Sequence, residues 1–406
     1  MKKLAIISSY KELCGIASYT SILEKEFKKY FEVDIIRLDT RILRSDKKNI
    51  IKMANAHIDE ISNLVKNYDY INIQFESSLF GSIPELVTNR VLKIIKNCKN
   101  LIFTFHSINL NSEKINKRKL LSKSIISEIK SYRNHKRLVN IYYSIINCIK
   151  DIDKKEGRNM SIMVHTPDSR KEIELTFEFN KVFDYPLSML SKEEREILIS
   201  EQDIIDFKKK YNFEQKDKIL GIFGFVSAYK GHMVAIKALE LLPKEYKLII
   251  FGSQHPASLK NGQKIDPYLG KLLEEINKSK ILGQTNDEKM GRIKFAGSVN
   301  DDEYMEAIRC CDYIILPYVE VGQMASAVAA QVLEAKSRGI FSNTKTFFEL
   351  EKYYPDSFEK IDVGNYFELA EKILNYKKDH TQQLIKNLNK YNLENNILNY
   401  KRIFEL

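Results

Sequence analysis

The sequence has no tryptophan and only five cysteines, and none of its apolar runs reaches membrane-spanning length. Cys14, Cys98, Cys148, Cys310 and Cys311 are odd in number and scattered, with no Cys-x-x-Cys pair and no Cys/His cluster at zinc spacing. A disulfide scaffold and a zinc module are thereby excluded, and a reducing compartment fits best. The absence of tryptophan, beside many Asn, Lys and Ile residues, reads as a codon-composition effect as readily as a physical one. Met1-Lys2-Lys3 opens onto Leu4 to Ile7, but the polar stretch Ser8 to Glu12 ends that run far short of a signal peptide's core. The expectation is a cytoplasmic protein, with peripheral attachment to the inner face of the cell membrane left open. The histidines are not spaced as metal ligands, so no metal and no cofactor is expected.

The 406 residues are long for one core and comfortable for two domains. Hydrophobic residues at 44% and charged residues at 29% supply packed cores and exclude a disordered chain. The net charge of +11 suits an anionic nucleotide, a phospholipid surface or a nucleic acid. Nucleic acid is not expected, because no recognition motif with interleaved aromatics accompanies the charge.

Short apolar runs alternate with helix-length stretches from the first residues. Leu4 to Ile7, Val33 to Ile36, Tyr70 to Ile73, Leu101 to Phe105 and Ile162 to Val164 read as buried parallel strands. Ile16 to Tyr30, Ile50 to Asn67 and Leu86 to Asn97 read as the helices between them. A second series, Ile219 to Phe223, Leu248 to Phe251, Ile293 to Phe295 and Tyr313 to Leu316, begins after the charged stretch Ser191 to Asp217. The pattern predicts two doubly wound α/β domains, 1–188 and 189–380, with a helical tail over 381–406 and a cleft between strand C-termini. Residues 112–155 break the alternation. Their many lysines and arginines interleave with Leu and Ile as in a basic amphipathic helical insertion, either a solvated face or a contact for an anionic membrane or acceptor.

The loop Gly224-Phe225-Val226-Ser227-Ala228-Tyr229-Lys230-Gly231 leaves an apolar strand and enters a helix, where backbone N–H groups and the helix dipole favour a phosphate. Lys230 adds a point charge there, unless it is an ordinary surface lysine. The loop is neither a Walker P-loop nor a Gly-x-Gly-x-x-Gly fingerprint, which disfavours nucleotide triphosphate hydrolysis. Downstream, Pro317 and the loop Glu320 to Met324 feed a small-residue helix from Ala325 to Arg338, on which Glu334 is either solvated or functional. His106 and His165 at strand ends are either polar caps or site residues. Glu76 either serves an acceptor hydroxyl, as ligand or base, or hydrogen-bonds the Gly15 loop. His232 reads as a helix-surface residue.

With these residues in order, the second half resembles the retaining glycosyltransferases of family 4. Gly224 to Gly231 resembles the family's Gly-rich loop ending in Lys-Gly, and Phe295-Ala296-Gly297-Ser298-Val299 its strand-Gly turn. Asp312 to Pro317 resembles its Ala-Asp-hydrophobic-Pro strand, and Leu333-Glu334-Ala335 to Gly339 the close of its Glu-x7-Glu motif. In the first half, Cys14 to Thr20 resembles the N-terminal glycine loop, Ile73 to Glu76 with Leu79-Phe80-Gly81 a Gln-His-Glu…Phe-Gly stretch, and His106 and His165 the strand-end histidines. The resemblance implies the GT-B fold, two facing Rossmann-like domains with an interdomain cleft. It also implies a retaining, hexosyl-transferring enzyme of bacterial polysaccharide biosynthesis, moving sugar from a nucleotide sugar to a cell-surface glycan, lipid-linked or protein acceptor.

Carried over, Lys230, His106 and Glu334 are the catalytic set. Lys230 would hold the donor diphosphate, Glu334 the ribose hydroxyls, and His106 would lie beside the sugar. Gly15, Gly252, Ser298, Val299, Gln323, Met324, Ala325 and Ser326 would complete the donor site, with Glu76 and His165 on the acceptor side. Two positions depart from the family. Phe225 stands where an arginine usually precedes the lysine by five residues, and Ser326 where the first glutamate stands. Lys230 and the backbone N–H groups of 322–327 would then carry more of the phosphate. The same departures motivate an alternative, a non-catalytic GT-B protein that binds glycan or a partner enzyme. A nucleotide-sugar epimerase of this architecture is a third possibility.

Overall fold

Every residue of Leu101-Ile102-Phe103-Thr104-Phe105 is buried, as a strand covered on both faces requires. The computed structural model describes residues 1–12, 14–110, 125–254, 265–279, 291–320, 323–376 and 380–406, and that pattern recurs through both of its sheets. The chain divides into two compact units, Met1–Tyr185 with Glu394–Leu406, and Pro186–Leu393.

In the first unit, β1 (Lys3–Ser8), β2 (Glu32–Arg37), β3 (Tyr70–Phe75), β4 (Leu101–Phe105), β5 (Met160–Val164) and β6 (Val182–Asp184) form a parallel sheet in the order β2-β1-β3-β4-β5-β6. The chain winds outward from β1 to β2, then returns past β1 to β3 and onward. The loops after β1 and β3 therefore flank the point where the winding reverses, which is where open α/β sheets leave a crevice.

The second unit repeats the scheme with β7 (Lys218–Phe223), β8 (Tyr246–Phe251), β9 (Ile293–Gly297), β10 (Tyr313–Leu316), β11 (Gly339–Ser342) and β12 (Glu359–Ile361), ordered β12-β11-β10-β7-β8-β9. Its switch point lies between β7 and β10. The three strands the sequence does not mark, β6, β11 and β12, are short, and an edge strand of three residues carries too little pattern to stand out.

Two glycines hold the ends of β7, β8 and β10 together. Gly231 has φ +71°, and a Cβ there would fall 1.8 Å from the Pro317 carbonyl oxygen. Gly252 has φ +148°, and its Cβ would fall 2.0 Å from the Gly224 carbonyl oxygen. Both close approaches are available only to glycine.

The helix expected over Ala325 to Arg338 is shorter, Ala327–Glu334. It closes in a Schellman arrangement, with Lys336 N–H on the Leu333 carbonyl (2.9 Å), Ser337 N–H on the Val332 carbonyl (3.0 Å) and Lys336 at φ +59°. Residues 112–124 of the basic insertion lie outside the described residues. The helix Ile125–Glu156 follows, burying Ile141, Ile145, Ile149 and Ile152 and leaving Arg133, Lys136 and Arg137 exposed. Of the expected tail, Thr381–Lys390 groups with the second unit, while the helix Leu393–Phe404 lies almost wholly in the segment that groups with the first. No helix among the described residues is long and apolar enough to cross a membrane.

Candidate functional site

In the second unit, the loops after β7 and β10 meet at the switch point. The 3-10 turn Ala228–Lys230 is tied to the β10 loop by Val319 N–H on the Tyr229 carbonyl, at 2.8 Å. Lys230 is 5% exposed. Its ammonium donates to the Tyr318 hydroxyl and lies 4.1 Å from the centre of the Tyr318 ring and 5.2 Å from that of Tyr229. A Cβ on Gly224 would sit 3.4 Å from Lys230 Nζ, so the loop wraps the ammonium closely.

No carboxylate pairs with Lys230 among the described residues. Burial holds its pKa below the usual lysine value, with Tyr229 acting in the opposite direction. The result is a desolvated cation supported by hydroxyl and ring faces, which an incoming anion stabilises. Ser326 completes the cluster, with its Oγ 3.5 Å from Tyr318 Oη while it caps Ala329 N–H of the following helix. Lys230 and Ser326 are thus brought together through Tyr318, a residue the sequence reading passes over. The signal available was its place immediately after Pro317 at a strand end.

His232 is fully buried, contrary to the surface position expected from the sequence. It opens the helix His232–Leu241, whose start is pinned under Pro317 by the Gly231 contact, so its ring faces inward toward Tyr268. Burial, with Lys230 nearby, pushes its pKa down to about 4.

Glu334, the last residue of its helix, is also fully buried. Its Oε2 accepts from Met189 N–H (2.8 Å) and Leu190 N–H (2.9 Å), so part of its work is to fix the start of this unit. Gln323 donates to the Ala325 carbonyl and its own carbonyl accepts from Thr346, which shapes the loop around buried Met324. Residue 322 lies outside the described residues. Ser298 donates to Ser253 at 2.9 Å, and Gly252 N–H reaches the Gly297 carbonyl at 2.8 Å, joining the ends of β8 and β9; Val299 packs on the core beside them.

In the first unit, Gly15 starts the helix Gly15–Phe27, and a Cβ there would meet nothing within 4 Å. Neither dihedral nor packing demands glycine, so the open space at this helix start is itself the feature. Glu76 accepts from Ser77 N–H (3.1 Å) and from Ser107 Oγ (2.5 Å). That pairing joins the ends of β3 and β4, and the bond to the Gly15 loop, one of the two alternatives for Glu76, is not made among the described residues.

His106 and His165 stand at the ends of β4 and β5 with ring centres 5.2 Å apart, and the Tyr19 ring meets both edge-on. His165 Nδ1 bonds the Tyr185 carbonyl at 3.1 Å, while its buried Nε2 has no hydrogen-bond partner among the described residues. Burial pushes the His165 pKa down to about 4. His106 is held well below its ordinary value by burial first and by His165 second. Both imidazoles are neutral at physiological pH. No group of three His, Cys, Asp or Glu side chains among the described residues is placed to hold a metal ion.

No family model matches the chain, and no curated protein matches it. Solved structures do. Anabaena HepE, in a complex with UDP, is similar at 12% identity and a TM-score of 0.64, with 100% of each chain covered. Sucrose-phosphate synthase from Thermosynechococcus elongatus is similar at 13% identity and a TM-score of 0.67, with 100% of this chain and 98% of that one covered. A UDP-forming α,α-trehalose-phosphate synthase from Burkholderia xenovorans, in complex with glucose-6-phosphate, is similar at 10% identity and a TM-score of 0.66, with 100% of each chain covered. At these identities the likeness is one of fold, and the chain has the α/β GT-B fold.

Proposed function

We propose that this chain is a retaining glycosyltransferase that moves a hexosyl group from a nucleotide sugar to a cell-surface glycan, lipid-linked or protein acceptor. The observation that carries the reading is Lys230, a buried ammonium at the switch point of the second sheet with no carboxylate partner among the described residues. Neighbours in fold whose structures hold UDP or UDP-glucose support a nucleoside diphosphate as its anion.

In this reading the donor diphosphate joins the Tyr318 hydroxyl and the ring faces as a partner of Lys230. As the glycosidic bond breaks, negative charge grows on the leaving diphosphate, and a cation already desolvated and held in place stabilises it without reorganisation. Glu334, fixed by two backbone donors, is assigned to the ribose hydroxyls. Neutral His106 is assigned to the sugar, and Glu76 and His165 to the acceptor. No metal is invoked.

Incubating the full chain with nucleotide sugars and a membrane-lipid or glycan acceptor pool, and reading the product's anomeric configuration by NMR, tests this. A product with the donor's configuration is expected. Inversion contradicts the retaining mechanism. Phe225 and Ser326, at positions where the family carries donor-binding side chains, favour one second reading, a non-catalytic glycan-binding protein. That reading expects glycan binding with neither transfer nor donor hydrolysis.

A further inference from the structure

Behind His106 runs a chain of buried amides that the proposed function does not use. Asn72 and Gln74 are both fully buried on β3, two residues apart and so on one face. Asn72 Nδ2 lies 3.0 Å from the Ile102 carbonyl oxygen and 3.1 Å from Thr104 Oγ1. Gln74 Nε2 lies 2.5 Å from Asn72 Oδ1, and Gln74 Oε1 lies 2.7 Å from His106 Nε2. At the far end the Tyr400 hydroxyl, from the C-terminal helix, meets Thr104 Oγ1 at 3.0 Å and also bonds Gln74.

The direction of the bonds from Asn72 through Gln74 to His106 follows from one atom. A backbone carbonyl only accepts, so the Asn72 atom facing Ile102 must be the NH2 group. Turning the Asn72 amide over would set two oxygens against each other at 3.0 Å. Asn72 Oδ1 therefore faces Gln74 and must receive a hydrogen, which makes the facing Gln74 atom its NH2 group. Gln74 Oε1 is then left facing His106, and an oxygen there requires a proton on His106 Nε2.

We propose that Asn72 and Gln74 are positioning residues that hold His106 as the Nε2–H tautomer, so that its Nδ1 meets a ligand as a hydrogen-bond acceptor. Nδ1 has no hydrogen-bond partner among the described residues. His165 is held the opposite way, since the Tyr185 carbonyl accepts from its Nδ1–H and Nε2 has no partner among the described residues. Each ring thus carries one acceptor nitrogen, buried in His165, and His106 Nδ1 is matched to a hydroxyl group rather than to a carboxylate or phosphate. The ligand half of this inference rests on the reading of His106 as a sugar-facing residue. The tautomer half does not.

Nitrogen-15 NMR of histidine-labelled full chain, without ligand, reads the tautomer directly. Wild type is expected to show His106 protonated on Nε2 throughout neutral pH. Gln74→Met, which removes the acceptor at near-constant length, is expected to give a mixed or Nδ1–H signal. Gln74→Glu, which keeps an acceptor oxygen, is expected to retain Nε2–H and to raise the histidine's titration midpoint. A wild-type Nδ1–H tautomer, or a Gln74→Met spectrum unchanged from wild type, overturns the proposal. If Gln74→Met does not fold, the wild-type spectrum and the Gln74→Glu midpoint decide it. Failure of every nucleotide sugar to bind by calorimetry would instead overturn the proposed function and leave these spectra to decide the tautomer.

Discussion

Three of the residues that matter most here are ionisable groups whose charge is suppressed by burial. For Lys230 the lowered pKa means that the free site favours loss of the proton more than water does, and a bound diphosphate reverses this. Binding should therefore take up protons at alkaline pH. Affinity is highest below the free-site pKa and falls as pH rises through it, which calorimetry in two buffers of different ionisation heat, repeated over a series of alkaline pH values, will show. The same desolvation costs stability. Lys230→Met is expected to leave thermal stability unchanged or raise it by a few degrees, roughly the 1–4 kcal/mol range seen when buried charges are replaced by apolar groups.

His165 and His232 work in the other pH range. Their folded pKa values of about 4 lie below the unfolded value of about 6.5, so between those pH values the unfolded chain binds protons that the folded chain does not. Stability is complete above about pH 6.5 and declines as pH falls toward about 4, by up to roughly 3 kcal/mol per histidine. Denaturation midpoints measured across that window for wild type and His232→Gln should differ in slope by about one proton. Of these residues, Lys230 was legible in the sequence because a lysine after a strand-end loop is a local pattern. His232, Tyr318 and Asn72 were not, because their burial depends on what other strands bring against them.

At the scale of elements, the switch-point geometry depends on two backbone approaches that no side chain permits. Gly231→Ala would place a Cβ against the Pro317 carbonyl and force a left-handed residue to carry a side chain. Strain and overpacking together are expected to cost about 2–4 kcal/mol, read as a lower denaturant midpoint. The strands facing these glycines were visible in the sequence because they are apolar runs between turn residues. β3 shows the limit of that signal. In Tyr70-Ile-Asn-Ile-Gln-Phe the polar residues alternate as on a solvent-facing strand, yet Asn72 and Gln74 are fully buried because Thr104, Ile102 and Tyr400 satisfy them.

For the whole molecule, the C-terminal segment Glu394–Leu406 is an integral part of the first unit rather than a tail. Tyr400 packs edge-on against Phe27, Phe404 stacks on Tyr70 at 4.9 Å, and Asn396 donates to the buried Tyr19 hydroxyl at 3.1 Å. Truncation after Leu393 removes these at once. Calorimetry of the truncated chain should show the first unit melting earlier while the transition of Pro186–Leu393 is preserved. This return was not legible in the sequence, since pairing between residues some 300 positions apart leaves no local mark. The fold class was legible from alternation alone, and the candidate loop at the second switch point from its order of glycines and lysine.

The central claim is that Lys230 is the cation of a nucleoside-diphosphate-sugar site. Isothermal calorimetry of the full chain with a panel of UDP-, GDP- and ADP-sugars, beside Lys230→Met, tests it most directly. At least one donor should bind wild type and lose about 10- to 100-fold in the variant, the ~1.5–3 kcal/mol expected of a charge-assisted hydrogen bond. Equal affinity for wild type and variant would contradict the account.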